Sequence, residues 1–484
     1  MTADESVDVL VVGAGLSGIG AAYHLQKLCP DHSFAIVEAR SELGGTWSLF
    51  RYPGVRSDSD MHTLGYSFRP WAEPKTIVDG PTILSYLRDT ARENGIDRKI
   101  RFGRRVVRAD WSTQDAQWTV QMRHEEDGST SSLRCAFLYM CSGYYDYTGG
   151  YQPVFPGQDR FGGRIVHPQK WPENLDYAGK KVVVIGSGAT AVTLVPALAE
   201  QAAHVTMLQR SPTWMAALPS VDAISVWLRR WLPLRLAGWL TRWKNVLLAI
   251  LVFQLCKRKP QRMRELLLNG VRAALGPEAD IATHFTPRYN PWEQRLCLVP
   301  DGDFFNAIKA GRACVVTDHI ETFTETGVKL QSGATLDADI IVSATGLVLA
   351  VGKIELHVDG QRVEPSRTVN YKGLMYSGVP NMANTFGYTN ASWTLKADLT
   401  AQYVCRLLNH MRKTGARQCL PAAPGPNAPL LPWVDFSSSY FQRSAAQLPK
   451  QGASKPWKLN QNYLSDVIAL RFGAVDDGVL RFSR

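Results

Sequence analysis

The stretch Val7-Asp-Val-Leu-Val-Val-Gly13-Ala-Gly15-Leu-Ser17-Gly18 decides the fold of this chain. Its first half is a short, nearly continuous apolar run, which is typical of a strand buried on both faces of a parallel sheet. The three glycines that follow have G-x-G-x-x-G spacing and lead into a helical pattern. A second strand ends on Glu38, twenty residues beyond Gly18. Strand, glycine turn, helix and acid together predict a Rossmann unit that binds a dinucleotide.

Glu38 limits which dinucleotide the first unit can bind. A pyrophosphate would lie at the N-terminus of the helix, where free N–H groups and the helix dipole favour anions. Glu38 would accept hydrogen bonds from the adenosine ribose and would repel a 2′-phosphate. The first unit therefore suits FAD or NAD(H), and not NADP(H).

A second unit of the same kind begins at residue 181. The predicted strand 181–185 opens into Gly186-Ser-Gly188-Ala-Thr-Ala191, and a helix follows. The next strand ends before Arg210, nineteen residues beyond Ala191. A guanidinium can bind a 2′-phosphate with two parallel hydrogen bonds, so this unit is predicted to bind NADP(H). The predicted contacts are Gly186, Ser187, Gly188, Ala189, Thr190, Ala191, Val192, Thr193, Arg210 and Ser211.

Composition sets the broad class. A chain of 484 residues with 45% hydrophobic content can bury the cores of two or three domains. The eight cysteines include no CxxC pair, which argues against a redox-active disulfide and a structural zinc site. This cysteine usage and an acidic N-terminus without a signal-peptide pattern predict a cytoplasmic protein.

The net charge of +11 lies almost wholly in one segment. Residues 229–272 hold eleven Lys or Arg and one acid, together with several tryptophans. Such clustering argues against nucleic-acid binding, whereas basic helices that carry tryptophan suit a membrane surface or a hydrophobic partner. The uninterrupted apolar run in it, 246–253, is far below the ~20 residues needed to span a bilayer. The other interpretation is a helical insertion, 220–276, packed over the active site with its charges in water, and the two are compatible.

Between the two glycine motifs lies Phe161-Gly-Gly163-Arg-Ile-Val-His167-Pro-Gln-Lys-Trp171-Pro172. This F-x-G-x-x-x-H-x-x-x-W-P pattern resembles the fingerprint of the Baeyer–Villiger branch of flavin-dependent monooxygenases, and within that family the chain is closest to mycobacterial members. The resemblance implies that Phe161, Gly163, His167 and Trp171 belong to a linker between the flavin and nicotinamide domains. It also implies that His167 serves domain motion and not oxygen transfer itself.

Further stretches extend this resemblance over the whole chain. Gly44-Gly-Thr-Trp47 and Arg51-Tyr-Pro-Gly-Val-Arg56-Ser-Asp58 resemble the family's FAD-contacting loops, and Val106 its adenine-contacting strand. Asn290-Pro-Trp-Glu-Gln-Arg295-Leu resembles the segment that carries the family's active-site arginine. The resemblance implies that Arg295 and Asp58 are catalytic. It implies FAD contacts at Gly13, Gly15, Ser17, Gly18, Glu38, Thr46, Trp47, Ser48, Leu49, Arg56, Ser57, Asp58 and Val106.

The fold class predicted is α/β, with two Rossmann-like domains for FAD and NADPH and a helical insertion in the second. We expect the FAD domain at 1–150 and 336–484, the linker at 151–178, and the NADPH domain at 179–335. The resemblance implies an NADPH- and O₂-dependent monooxygenase that forms a C4a-peroxyflavin and oxygenates ketones, thioamides or sulfides. A disulfide reductase is excluded, because it would need a cysteine pair soon after the first glycine motif and this sequence has none there. An N- or S-oxygenating flavin monooxygenase without ketone activity remains the alternative, and oligomerisation stays open.

Overall fold

The computed structural model describes residues 5–350, 353–435 and 437–484. Most strands among these residues belong to two large sheets, one mixed and one wholly parallel. The first is mixed and has nine strands, and its interior strand Ser6–Val12 pairs in parallel with Phe34–Val37 and Thr130–Met140. Its order across the sheet is Gln361–Arg362, Glu355–Val358, Arg104–Ser112, Gln117–His124, Thr130–Met140, Ser6–Val12, Phe34–Val37 and Ile100–Arg101, and Met382–Asn384 also pairs with Thr130–Met140.

The second sheet is wholly parallel and has five strands. Parallel strands buried on both faces need apolar residues at every position, and Val182, Val183 and Val184 are at most 1% exposed. The order is Ala313–Thr317, His204–Gln209, Lys181–Ile185, Ile340–Ser343 and Arg164–Val166. The two predicted Rossmann units are therefore confirmed as the cores of the two sheets.

Two strands from outside the predicted limits of the NADPH domain pair within the second sheet. Ile340–Ser343 was assigned to the returning FAD domain, and Arg164–Val166 to the linker, but both strands pair within the second sheet. Ile341 and Val342 are fully buried there. The second domain thus reaches from residue 164 to residue 343, and the chain rejoins the first sheet at Glu355–Val358. The reason is that a short apolar strand does not reveal from its own sequence which sheet it will join.

Helices and small ribbons surround the sheets. A three-stranded antiparallel sheet and four two-stranded pairs complete the strands. Their bounds are Ile320–Phe323, Gly327–Leu330 and Thr335–Asp337; Met215–Leu218 with Cys297–Pro300; Asn370–Tyr371 with Met375–Tyr376; Gln418–Pro421 with Leu480–Ser483; and Leu430–Pro432 with Lys450–Gly452. The α-helices are Leu16–Leu28, Thr46–Leu49, Met61–Leu64, Gly80–Glu93, Ala189–Leu198, Ala223–Trp231, Leu234–Arg258, Pro260–Leu275, Ile281–His284, Asp303–Lys309, Trp393–Thr414, Ser439–Ser444 and Tyr463–Val467.

The predicted insertion is a set of three helices that contacts both domains. From the long helix Leu234–Arg258, Arg242 donates to the carbonyl oxygens of His62 (2.8 Å) and Gly65 (2.7 Å) in the first domain. From Pro260–Leu275, Val271 is buried in the core of the second domain. The insertion therefore bridges the domains while its outer face stays in solvent.

A buried ion pair joins the helix Trp393–Thr414 to the C-terminal part of the chain. Lys396 is 2% exposed, and its Nζ lies 2.8 Å from Asp466 Oδ2. The Tyr388 hydroxyl donates to the same carboxylate oxygen at 2.7 Å. Because buried charges are costly without a partner, each member depends on the other.

We expect Lys396→Met to destabilise the protein by about 3–5 kcal/mol, because it leaves Asp466 buried and uncompensated. The double variant Lys396→Met/Asp466→Leu should regain much of this loss. Thermal unfolding followed by circular dichroism measures both, with Lys413→Met at the exposed end of the same helix as the control. An equal loss in the single and double variants would contradict this account.

Candidate active site

One large cavity, of about 1520 Å³, reaches from the first glycine turn to the second. Its walls combine residues from both domains, so a ligand bound at either turn would approach a ligand at the other. Of the residues predicted to bind cofactors or to act in catalysis, it is lined by Gly13, Gly15, Ser17, Glu38, Thr46, Trp47, Arg56, Ser57, Asp58, Val106, Gly186, Ser187, Gly188, Ala189, Thr190, Thr193, Arg210, Ser211 and Arg295.

The first glycine turn needs close backbone contacts that a side chain would block. Gly13 has φ +106°, and a Cβ there would lie 2.7 Å from the carbonyl oxygen of Cys141. A Cβ on Gly18 would lie 1.8 Å from the Gly13 carbonyl oxygen, so Gly18 supports the turn from behind. Gly15 precedes the helix Leu16–Leu28 and has no side chain that could cap the first N–H groups of this helix. These groups are free to bind a pyrophosphate, as FAD requires.

Glu38 lies at the edge of the same turn and is 7% exposed. Its Oε2 accepts from the Ala14 N–H at 2.8 Å and its Oε1 from the Arg40 N–H at 2.9 Å. Two backbone donors thus fix the carboxylate at the cavity wall. Each oxygen keeps a lone pair for a ribose hydroxyl.

The short helix Thr46–Leu49 closes the first site from another side. Arg40 holds it by donating to the Gly45 carbonyl oxygen and to the Ser48 hydroxyl. Ser48 is buried behind the cavity wall, and Leu49 packs on the core of the second domain. Their side chains therefore support the loop that carries Thr46.

The second glycine turn repeats the geometry of the first. Gly186 has φ +133°, and a Cβ there would lie 2.4 Å from the Ala344 carbonyl oxygen. A Cβ on Gly188 would meet open space at the start of the helix Ala189–Leu198. The predicted contacts Ala191 and Val192 are instead buried in the core of the second domain.

Arg210 follows the strand His204–Gln209, and its exposed side chain lines the cavity. Ser211 lies beside it, with its carbonyl oxygen accepting from the Ser187 hydroxyl at 2.9 Å. An exposed guanidinium at this edge leaves its five N–H donors open to a ligand. The position and chemistry fit the 2′-phosphate of NADP(H).

Arg295 and Asp58 form an ion pair across the two domains, with Nε 2.9 Å from Oδ2. The Arg295 side chain is 39% exposed toward the cavity that it lines. Desolvation lowers the pKa of Arg295, but the charge of Asp58 and the neighbouring tyrosines more than offset it, so the pKa lies above its usual range. A permanent cation therefore faces the cavity.

Arg56, predicted to contact FAD, lines the cavity while its guanidinium pairs with Asp303. Arg56 Nη1 contacts Asp303 Oδ2, and Arg56 Nη2 lies 3.4 Å from Asp303 Oδ1. Asp303 begins the helix Asp303–Lys309 of the second domain. Arg56 thus ties the loop of the first domain to the second.

The four fingerprint residues of the linker, Phe161, Gly163, His167 and Trp171, are not among the residues that line the cavity. Phe161 packs edge-on against Phe323, with ring centroids 6.3 Å apart, and a Cβ on Gly163 would lie 2.3 Å from the Asp339 carbonyl oxygen. Trp171 is half-buried against the core of the second domain. The segment therefore packs as part of that domain.

His167 is buried, and its Nδ1 accepts from the Gln169 N–H at 3.2 Å. Burial lowers the pKa of His167, so the imidazole is neutral near pH 7. Gly150 lies against the ring, since a Cβ there would be 2.0 Å from the imidazole. This contact joins the linker to the end of the first domain.

Several aromatic side chains at the cavity were not predicted as site residues. Trp393 donates from Nε1 to the Ser17 hydroxyl at 2.8 Å. Tyr144 and Tyr145 line the cavity near Arg295, with hydroxyl oxygens 2.6 Å apart. The signal for the tyrosines was the run Tyr144-Tyr-Asp-Tyr147 directly after the Ser142-Gly143 turn. Tyrosine in such a position is usually core, so sequence alone gave no reason to choose it.

Comparison with known proteins agrees with this geometry. Residues 7–272 match the model of the family described as flavin-binding monooxygenase-like. The FAD-containing monooxygenase EthA of Mycobacterium tuberculosis is 54% identical over 482 residues, covering 99% of this chain and 98% of EthA. The probable FAD-binding monooxygenase AlmA of Acinetobacter baylyi is 48% identical over 486 residues, covering 99% of this chain and 97% of AlmA.

A solved structure extends the likeness to three dimensions. An oxidized steroid monooxygenase bound to NADP superposes with a TM-score of 0.72 at 25% identity, over 86% of this chain and 88% of that one. The predicted family and both predicted cofactors are therefore confirmed. The chain belongs to the flavin-binding monooxygenase-like family and is an FAD-containing, NADPH-dependent monooxygenase.

Proposed function

We propose that this enzyme oxygenates ketones, inserting oxygen beside the carbonyl carbon, and oxygenates thioamides and sulfides at sulfur. The observation that carries the proposal is the Arg295 guanidinium, which faces the cavity between the two cofactor sites. FAD reduced by NADPH activates O₂ and supplies the transferred oxygen when bound. The residues of this chain position the reactants and stabilise charge.

The two glycine turns and their ribose residues would hold the cofactors. FAD would place its pyrophosphate at Gly13 and Gly15 and its ribose at Glu38. NADPH would place its pyrophosphate at Gly186 and Gly188 and its 2′-phosphate at Arg210. Each assignment rests on open N–H groups at the start of a helix. Beside them in the cavity lies Glu38, an acceptor for ribose hydroxyls, at the first turn and Arg210, a cation for a phosphate, at the second.

Arg295 would stabilise negative charge while oxygen is transferred. A guanidinium stays protonated and presents several donors in a fixed fork. Asp58 would orient that fork through the 2.9 Å ion pair. A panel of linear, cyclic and aryl ketones, thioamides and sulfides, with product identification, separates this function from the alternative of N- or S-oxygenation alone.

A second proposal concerns the outer face of the insertion. Trp227, Trp231 and Trp239 are 58%, 74% and 55% exposed, on helices that carry most of the net charge. Within the described residues, Leu234–Arg258 is the one helix long and apolar enough to cross a membrane by its length and composition. Its Arg242 is nevertheless buried against the first domain. These features favour a cytoplasmic enzyme that binds an anionic membrane surface peripherally.

The first prediction concerns the choice of nicotinamide cofactor. NADPH should be preferred over NADH, and Arg210→Ala should reduce that preference about ten- to a hundred-fold, because a charged hydrogen bond is lost. The rate at saturating NADPH should change less. Steady-state kinetics with both cofactors measures this, and Arg164→Ala on the exposed edge strand of the same sheet is the control. Equal use of NADPH and NADH by the parent enzyme would sink the assignment.

The second prediction concerns the ion pair. Arg295→Ala should leave FAD bound and reducible by NADPH, while oxygenated product disappears and oxidised NADPH yields hydrogen peroxide. Asp58→Ala should slow oxygenation less severely, because the carboxylate only orients the arginine. Flavin absorbance, anaerobic reduction and product analysis separate these steps. Arg295→Lys keeps the charge without the fork, and near-parental oxygenation by Arg295→Ala would show that the site is wrongly assigned.

The third prediction concerns the membrane. The enzyme should co-sediment with vesicles that contain phosphatidylglycerol, and binding should weaken as salt rises, because screening acts on exposed charge. Trp227→Ser/Trp231→Ser and Arg258→Glu/Arg262→Glu should each reduce binding. Val154→Ser, which alters an exposed apolar residue outside the insertion, should not. No binding at low salt would leave only the packed-insertion interpretation.

A further inference from the structure

Two adjacent tyrosines line the same cavity as Arg295. The hydroxyl oxygens of Tyr144 and Tyr145 are 2.6 Å apart. The Tyr144 ring stacks on Trp393, with centroids 5.1 Å apart and planes 13° from parallel. The Tyr145 ring packs edge-on against Phe50 at 6.4 Å. Packing on both rings fixes where the two hydroxyls point.

These hydroxyls share their surroundings with the active-site arginine. Tyr145 and Arg295 both line the main cavity. Tyr144 and Arg295 also line a small recess beside it, whose other walls include Phe386, Trp393 and Phe441. A substrate that reached Arg295 would therefore meet the tyrosine pair as well.

The two hydroxyl groups of the pair have two protons available for hydrogen bonds. One hydroxyl donates to the other, which uses one of their two protons, and Tyr440 is a further hydrogen-bond partner of Tyr144. Other cavity tyrosines have a partner in the protein, since Tyr388 donates to Asp466 and Tyr147 hydrogen-bonds Thr46. When the Tyr144 hydroxyl donates to the Tyr145 oxygen, the Tyr145 proton is left for an acceptor in the cavity that Tyr145 lines.

Both hydroxyls keep their protons. Burial raises the pKa of Tyr145, which the charge of Arg295 opposes and that of Asp58 supports, and burial raises the pKa of Tyr144 well above its usual range. The influence of Arg295 on both groups reflects how close they are to it. Neutral tyrosines at this place act as hydrogen-bond donors and not as bases.

We propose that Tyr145, positioned by Tyr144, is a second hydrogen-bond donor to the carbonyl oxygen of a ketone substrate, beside Arg295. This inference rests on the proposed function and adds a catalytic residue to it. Tyr145 is the residue that touches the substrate, and Tyr144 is the positioning residue. The proton stays on Tyr145 throughout.

The reaction explains why such a donor matters for one substrate class. In the overall reaction a ketone, O₂, NADPH and H⁺ give an ester, NADP⁺ and water. When the carbonyl carbon accepts the incoming oxygen, the C=O electron pair moves onto the carbonyl oxygen, where two donors stabilise it better than one. A sulfide, O₂, NADPH and H⁺ give a sulfoxide, NADP⁺ and water. There a sulfur lone pair forms the new bond, so no substrate carbonyl oxygen gains charge.

The two substrate classes should therefore respond differently to loss of the hydroxyl. Tyr145→Phe should lower kcat for ketone oxygenation about ten- to a hundred-fold, because one oxyanion donor is lost. Sulfide oxygenation should change by less than about three-fold, since no oxyanion forms on the sulfide. Tyr144→Phe should lower ketone oxygenation less than Tyr145→Phe. Tyr147→Phe, which alters another cavity tyrosine, is the matched control and should leave the balance between the classes unchanged.

A substrate that carries both a ketone and a thioether gives the sharpest readout, because the ratio of ester to sulfoxide is independent of enzyme concentration. Flavin absorbance and anaerobic reduction by NADPH check that each variant is folded and loaded. An unchanged ratio in both Tyr145→Phe and Tyr144→Phe overturns the inference while the proposed function stands. A parent enzyme that oxygenates sulfides but no ketone overturns the inference together with the ketone half of the proposed function.

Discussion

The close approach of a glycine turn to the neighbouring strand is the constraint on which both halves of this molecule depend. Gly13 meets the Cys141 carbonyl oxygen, and Gly186 meets that of Ala344 in the same way. Because neither position tolerates a Cβ, each turn can bring its helix N-terminus over the carboxyl edge of its sheet. The two uncapped helix ends then open into one cavity. Both cofactor sites and the space between them follow from this repeated geometry.

The loop 51–58 carries that arrangement from one domain to the other. Several of its residues contact the second domain. A Cβ on Gly54 would lie 2.9 Å from the Thr193 carbonyl oxygen, Arg56 pairs with Asp303, and Asp58 pairs with Arg295. Asp58 is thus placed at the cavity by the same contacts that join the domains. The loop links the position of the second domain to the orientation of Arg295.

Sequence could predict what is local and could not predict what is brought together from a distance. The glycine turns, Glu38 and Arg210 follow short strands within one supersecondary unit, so spacing alone located them. The strand Ile340–Ser343 pairs within the second sheet, and a four-residue apolar run does not reveal such a partner from its own sequence. The partner of Arg56 lies 247 residues away, which no local pattern reveals. Tyr145 was missed because a tyrosine after a turn has no spacing signature.

The surroundings of Arg295 are built from several separate segments of the chain. Tyr144 and Tyr145 follow the strand Thr130–Met140, Arg295 precedes Cys297–Pro300, Trp393 begins a long helix, and Phe441 comes from Ser439–Ser444. A wall assembled from four separate segments can be altered at any one of them without disturbing the sheets. The residues around Arg295 can therefore vary while the two sheets and their glycine turns stay the same.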